Sequence, residues 1–335
     1  MPSVARATFL GESQQTRSQL VLRDMTYDER LQYSTCRIES RFASGAVGVG
    51  TAFYYGYRPD PDRVIPMVVT NRHVIWDPQH GPALGGRFQV HTSKRKGDAV
   101  VPAGVFHHVE FDSARAPFHE LWRGHSDPAI DLCAMMAMPL TFIMKGLGSE
   151  PYINAIGDSL ELAPAQLAQL RVVEDVLMVG YPTGLWDDIH NFPLFRKGTT
   201  ATHPAVDFQG RPVFVVDLAC FPGSSGSPVF CMREGGYPGV DHKTGDDPRR
   251  FLGVLFEGPV LPGSGALVNL GYVIKAHKVR ELATQVWDHW SGLGYIPAPW
   301  SSDFDAQHLP LGALLPDENG VFREVHSPES QDGQG

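Results

Sequence analysis

Ser225 lies in the run Pro222-Gly223-Ser224-Ser225-Gly226-Ser227-Pro228, between two apolar, β-prone segments. A serine on a glycine-flanked turn between strands is held out in a defined position. The glycines also let the backbone aim the N–H groups of Gly223 and Ser225 at one point. Two amides so aimed can hold the oxyanion of a tetrahedral intermediate, so the heptapeptide combines a nucleophile with an oxyanion hole made of backbone. A polar hairpin loop has the same composition, so the run needs partners before it means catalysis.

The first partner is a base. A serine hydroxyl is a poor nucleophile near neutral pH, and a histidine within hydrogen-bond reach is the usual activator. The segment Val68-Val69-Thr70-Asn71-Arg72-His73-Val74-Ile75 runs a β-branched strand directly into His73. A histidine at a strand end is more often structural, and the chain has 14 of them. Context, not residue type, singles this one out. The second partner is in Asp127-Pro128-Ala129-Ile130-Asp131-Leu132-Cys133-Ala134-Met135. An aspartate set into an apolar strand is costly to bury unless it accepts hydrogen bonds, and the ring N–H of a histidine base supplies one. Asp131 fits that role better than Asp127, which precedes a proline and reads as a turn residue.

The elements that must position these residues read as β. From about residue 34 the chain breaks into short runs rich in β-branched and aromatic residues, separated by turn residues. The first group comprises 36–42, 47–57, 64–70, 88–92, 100–111 and 130–138; the second comprises 172–181, 194–200, 212–218, 227–232, 251–256 and 270–274. Two groups of about six strands fit two small antiparallel barrels. Apolar residues at helical spacing over 275–290 predict a closing helix, and 163–167 predicts a short one. The expected organisation is an N-terminal extension over 1–33, a first barrel over 34–143 carrying His73 and Asp131, and a connection over 144–169. A second barrel with its helix follows over 170–290, then a tail over 291–335, rich in Pro, Ser, Gly and Asp, that reads as extended or disordered.

Composition narrows the function. With 37 acidic against 28 basic residues the formal charge is −9, which argues against nucleic acid as a partner. The basic triplet Lys94-Arg95-Lys96 reads as a solvated hairpin tip. No stretch is long and apolar enough to span a bilayer, and residues 1–33 lack the apolar core of a secretory signal. Cys36, Cys133, Cys220 and Cys231 show no metal-ligand spacing and read as buried thiols, which points to a reduced, cytoplasmic location. The cluster His107, His108, His119 and His125 fits no ligand motif and reads as exposed loop histidines, so neither a metal nor another cofactor is expected.

In the order His, Asp, Ser, these motifs resemble the trypsin-like, or chymotrypsin-clan, serine peptidases. Thr70-Asn71-Arg72-His73-Val74 resembles the clan's Thr-x-x-His turn, Asp131-Leu132 its Asp-Leu strand, and Gly223-Ser224-Ser225-Gly226-Ser227-Pro228 its Gly-x-Ser-Gly-x-Pro signature. The stretch from Asp217 to Gly226 is similar to the bacterial high-temperature-requirement and glutamyl-endopeptidase branches. The resemblance covers about residues 34–290. It implies an all-β fold of two six-stranded antiparallel Greek-key barrels with a C-terminal helix, and a serine endopeptidase acting on protein or peptide substrates without a cofactor.

It further implies that Gly253-Val254-Leu255-Phe256-Glu257-Gly258 is the substrate-binding edge strand, with Phe256 and Gly258 supplying backbone groups. The primary pocket would be floored by Ala219 and Cys220 with Gly271 opposite. No acidic residue stands at that floor, so small or apolar side chains are expected there, although Glu257 lies near the entrance. Ser224 stands where digestive relatives keep an aspartate, so activation by N-terminal cleavage is not expected. A cytoplasmic peptidase of this kind would need control, by a partner protein or by ordering of a loop. Besides a metal enzyme built on the four histidines above, two readings compete: an α/β-hydrolase, which needs a glycine at Ser227 and a helix after the nucleophile, and a catalytically silent protease fold used for binding.

Overall fold

Strand β2 (Val47–Asp60) shows how the chain builds two cores from one element. Residues 50–55 are all buried, because alternate side chains enter different apolar clusters: Ala52 and Tyr54 pack with Cys36, Ile38 and Val68, whereas Phe53 and Tyr55 pack with Val69 and, from far along the chain, Phe230, Phe251 and Val279. A strand covered on both faces reads as a continuous apolar run instead of an alternating one. The computed structural model of the chain describes residues 25–293, apart from 62, 97–98, 113–116, 183–184, 234–248, 260–262 and 264–267, together with 314–316 and 322–324.

The first lobe is a curled antiparallel sheet. Its strands are β1 (Thr35–Phe42), β2, β3 (Arg63–Thr70), β4 (Trp76–Asp77), β5 (Gly81–Lys96), β6 (Ala99–Asp112), β7 (Arg123–Gly124), β8 (Cys133–Met136) and β9 (Ile156–Gly157). They run in the order β4-β5-β1-β2-β3-β8-β7, with β6 added to β5 and β9 added in parallel to β2. The second lobe closes fully: β10 (Asp175–Gly180), β11 (Leu194–Thr200), β12 (Val213–Asp217), β15 (Leu270–Lys275), β14 (Arg249–Glu257) and β13 (Pro228–Met232) form a six-stranded barrel in that order. The architecture is the chymotrypsin-like double barrel, one barrel closed and the other a half-barrel. The first lobe holds the six expected strands, β1, β2, β3, β5, β6 and β8, with the two-residue segments β4, β7 and β9 paired to them.

Among the described residues five α-helices complete the frame: α1 (Tyr27–Leu31), α2 (Arg72–Ile75), α3 (Met138–Gly146), α4 (Pro164–Leu167) and α5 (Ala276–Gly292). Helix α5 buries Ala276, Val279, Leu282, Ala283 and Val286 in the core shared by the two lobes. Each buried Val or Leu there contributes roughly 1.5–3 kcal/mol of transfer free energy, so the helix fastens the lobes together. Across residues 144–169 run the end of α3, β9, which joins the first sheet, and α4, which falls where the short helix was expected. Of the expected tail over 291–335, residues 291 and 292 end α5, and 314–316 and 322–324 pair as a small antiparallel ribbon; 294–313, 317–321 and 325–335, like 1–24, lie outside the described residues. Among the described residues no helix is long and apolar enough to cross a membrane.

Candidate active site

Strand β3 ends at Thr70, and after Asn71 the chain makes one helical turn, α2, that carries His73. Asp131 is not within a strand, as its apolar neighbours suggested, but in the loop two residues before β8. That placement leaves its backbone and side chain free of the sheet ladder, and all of it is turned towards residues 71–73. The Asp131 carbonyl accepts from the Asn71 side-chain amide (2.8 Å) and the Arg72 N–H (3.3 Å). One carboxylate oxygen accepts from the His73 N–H (3.0 Å), and the other lies 2.6 Å from His73 Nδ1. An ionised carboxylate only accepts, so Nδ1 carries the proton and Nε2 presents its lone pair. Asp127 acts as the turn residue its proline neighbour implies, accepting from Ala129 N–H through Oδ1 (2.9 Å) and from Ile130 N–H through its carbonyl (3.1 Å).

The loop around Ser225 is two successive β-turns. Ser224 N–H donates to the Phe221 carbonyl and Ser227 N–H to the Ser224 carbonyl, both at 3.0 Å. Gly223 (φ 86°) and Gly226 (φ 88°) occupy the third positions, where a type II turn demands positive φ and therefore glycine. At Gly226 space is as restrictive as the dihedral: a Cβ would stand 2.0 Å from the Thr51 carbonyl oxygen. Among the described residues the N–H groups of Gly223 and Ser225 donate to no protein acceptor. The loop is pinned to both lobes, through Thr51 N–H to the Ser225 carbonyl (2.9 Å) and Gly226 N–H to the Leu255 carbonyl (2.9 Å).

His73 and Asp131 are thus joined, and the backbone of the Ser225 loop approaches α2: a Cβ placed on Gly50 would touch both Val74, the neighbour of His73, and the Ser225 carbonyl. The Ser225 hydroxyl makes a long contact with the Phe256 carbonyl (3.5 Å), and among the described residues no hydrogen bond links it to His73. Catalytic hydrogen bonds of substrate-free sites commonly tighten only when substrate binds.

The expected substrate residues gather at the same place. Phe256 falls in a bulge of β14, between Leu255 paired with Val273 and Glu257 paired with Tyr272, so its backbone is outside the ladder; Gly258 follows the strand end. Ala219, Cys220 and Gly271 are neighbours: Gly271 pairs with Val216, and a Cβ on it would meet Leu255 Cδ1 at 2.5 Å and Cys220 Sγ at 2.6 Å. Arg196 donates to the Ala219 carbonyl and lies over the Phe221 ring, 4.6 Å from its centroid. Burial pushes the Cys220 thiol up to about 11, with Arg196 pulling the other way, so it is a neutral, apolar lining group.

All four cysteines are buried. Lys94, Arg95 and Lys96 stand exposed at the end of the β5–β6 hairpin. The four suspect histidines are not all exposed loop residues. His107 and His108 lie on β6, His125 is buried, and the bonded ones have separate partners: His107 the Ser149 hydroxyl, His119 the Ala83 carbonyl, and His125 the Asp127 N–H, which donates to its Nδ1 at 3.0 Å. Among the described residues no group of His, Cys, Asp and Glu could hold a metal ion. What sequence reading missed is Thr51, fully buried, whose hydroxyl and backbone touch the Ser225 loop at several points. Its only signal was position, in the otherwise apolar run Val47 to Phe53.

The fold is a β double barrel in which Asp131 holds His73 and a glycine-flanked turn carries Ser225. The chain matches the trypsin-like peptidase domain over residues 50–240, more than half its length, and it belongs to that family. Similar solved structures include the Rv3671c protease from M. tuberculosis in its active form (18% identity, 76% of this chain and 81% of that one, TM-score 0.39). Others are the HtrA-type protease AlgW with a tripeptide (14%, 91% and 78%, 0.42) and a catalytically inactive tobacco etch virus protease complexed with substrate (12%, 79% and 87%, 0.41). Comparison with curated proteins returned no match.

Proposed function

We propose that the chain is a serine endopeptidase that cleaves peptide bonds through an acyl-enzyme. Ser225 Oγ attacks the scissile carbonyl while His73 Nε2 takes its proton, and the amides of Gly223 and Ser225 receive the charge that develops on the carbonyl oxygen. His73 returns the proton to the departing amine as the ester forms. It then deprotonates the water that attacks the ester, and the last proton transfer restores Ser225. Asp131 holds the imidazole in the tautomer this sequence needs. The reaction requires no cofactor. The observation that carries the reading is the doubly bonded pair of His73 and Asp131, in a chain of the trypsin-like peptidase family.

An extended protein or peptide substrate would lie along the freed backbone at Phe256 and Gly258. The side chain preceding the cut would enter a pocket floored by Ala219, Cys220 and Gly271. The closeness of Leu255 and Cys220 to Gly271 supports a preference for small apolar groups. The buried thiols of Cys36, Cys133 and Cys220, none of them in a disulfide, support a reducing, cytoplasmic setting.

A second reading, a silent protease fold used for binding, is favoured by the Ser225 hydroxyl contacting Phe256 and not His73. Labelling with a fluorophosphonate separates the two. The peptidase reading expects labelling of the wild type that disappears in Ser225→Ala and falls strongly in His73→Ala; an unlabelled wild type that still binds peptides supports the silent fold.

A further inference from the structure

The Thr51 hydroxyl has one proton to give and two lone pairs to fill, and all three are used. Gly223 O accepts from it at 3.1 Å, Tyr181 N–H donates to it at 2.9 Å, and the Ser227 hydroxyl lies 3.2 Å away. The direction of this chain is forced by chemistry. A backbone N–H can only donate and a carbonyl can only accept, so the Thr51 proton points to Gly223, and the Ser227 proton to Thr51. The backbone of Thr51 is committed as well: its N–H holds the Ser225 carbonyl at 2.9 Å, and its carbonyl accepts from the Thr70 hydroxyl at 2.7 Å, at the end of the strand that leads to His73. Thr51 is 0% exposed, so none of these bonds competes with water.

The place of the Gly223 carbonyl in the loop gives this contact its meaning. That carbonyl belongs to the peptide between the two groups proposed to receive the oxyanion. The plane of this peptide fixes ψ at Gly223 and φ at Ser224, and hence the angle between the Gly223 and Ser225 N–H vectors. A glycine with φ 86° has few steric restraints of its own, so the bond from Thr51 supplies one from outside. Space leaves the contact little slack: a Cβ on Gly180 would meet Ser227 Oγ at 2.0 Å and Thr51 Oγ1 at 2.8 Å.

We infer that Thr51 is a positioning residue for peptide hydrolysis: from the first lobe it orients the Gly223–Ser224 peptide of the second, keeping both oxyanion amides convergent. The inference rests on the peptidase reading above. It concerns a residue that touches neither substrate nor the reacting atoms, and it makes the registry of the two lobes a condition of activity.

The test compares Thr51→Val, which keeps the branched shape without the hydroxyl, Thr51→Ala, which removes the hydroxyl with less bulk, and Thr51→Ser, which restores it. Peptide cleavage is measured as kcat and KM per folded molecule, the folded fraction being read from thermal unfolding. Misaligning an oxyanion donor should cost less than the roughly 100- to 1,000-fold of deleting one, so kcat of the valine variant should fall about 10- to 100-fold. KM should stay within about twofold, because ground-state binding does not use the oxyanion amides. Serine should recover most of the loss. If the valine variant folds poorly, the alanine variant carries the comparison. Wild-type kcat in whichever hydroxyl-free variant folds, or a serine variant as slow as valine, overturns the inference while leaving the peptidase reading intact. A wild type that neither cleaves peptide nor labels with a fluorophosphonate overturns both.

Discussion

Asp131 grips His73 at two points, one carboxylate oxygen on the ring Nδ1 at 2.6 Å and the other on the backbone N–H at 3.0 Å. The two bonds fix the tautomer and the ring plane together, because the carboxylate cannot turn to follow the ring without losing the backbone amide.

This relation sets the first expectation. Asp131→Asn places an amide where only an acceptor serves and favours the wrong imidazole tautomer, so kcat should fall by about 10,000-fold. Folding should survive, since the Asp131 carbonyl keeps its bonds to Asn71 and Arg72. Steady-state cleavage by the purified variant, beside its unfolding temperature, checks both halves, and unimpaired turnover would remove Asp131 from the mechanism.

Gly226→Ala should abolish activity more completely than its position outside the reacting groups suggests. Its φ of 88° and the Thr51 carbonyl 2.0 Å from the added Cβ force the loop to move. Loss of fluorophosphonate labelling in a protein that retains its β-sheet circular dichroism is the expected result.

Cleavage of a peptide library should show a preference for small apolar residues before the cut. Cys220→Ala would open space beside Gly271 and extend the preference to larger apolar side chains, whereas Gly271→Ala, with Leu255 Cδ1 at 2.5 Å and Cys220 Sγ at 2.6 Å from the new Cβ, should impair cleavage of every substrate. A strict demand for Arg or Lys would contradict this account of the pocket.

His91 makes stability depend on pH. Burial pushes its imidazole down to about 4, against a partial opposing effect of the Asn191 carbonyl, which accepts from Nε2 at 3.1 Å. Stacking on Phe192 and an edge contact with Tyr33 keep the ring dry. Below the ordinary histidine value of 6.5 the unfolded chain takes up a proton that the folded chain refuses until about 4. Stability is therefore full above that window and declines as pH falls through it, by at most about 3 kcal/mol from this group. Urea unfolding between pH 7 and 4 should show a shallower decline in His91→Phe than in the wild type; parallel curves would rule the group out.

Much of the architecture was legible along the chain because its signals are local. Strand β11 spans the run expected for it, and α5 extends the expected helix only slightly, since period and turn residues are properties of neighbouring positions. The glycines at 223 and 226 announced a sharply turned loop, because only glycine tolerates that backbone at no cost. Residue types and order likewise pointed to His73, Asp131 and Ser225.

Tertiary structure decided the rest. An aspartate amid apolar residues reads as a strand position, yet Asp131 sits in a loop, where its backbone can be spent on Asn71 and Arg72. No local pattern distinguishes Thr51 from any threonine in a strand; its role exists only because folding brings residues 51, 181, 223 and 227 within bonding distance. Helix and turn signals are written in a few adjacent side chains, whereas a hydrogen bond across lobes depends on how two sheets pack, which no short window of sequence contains.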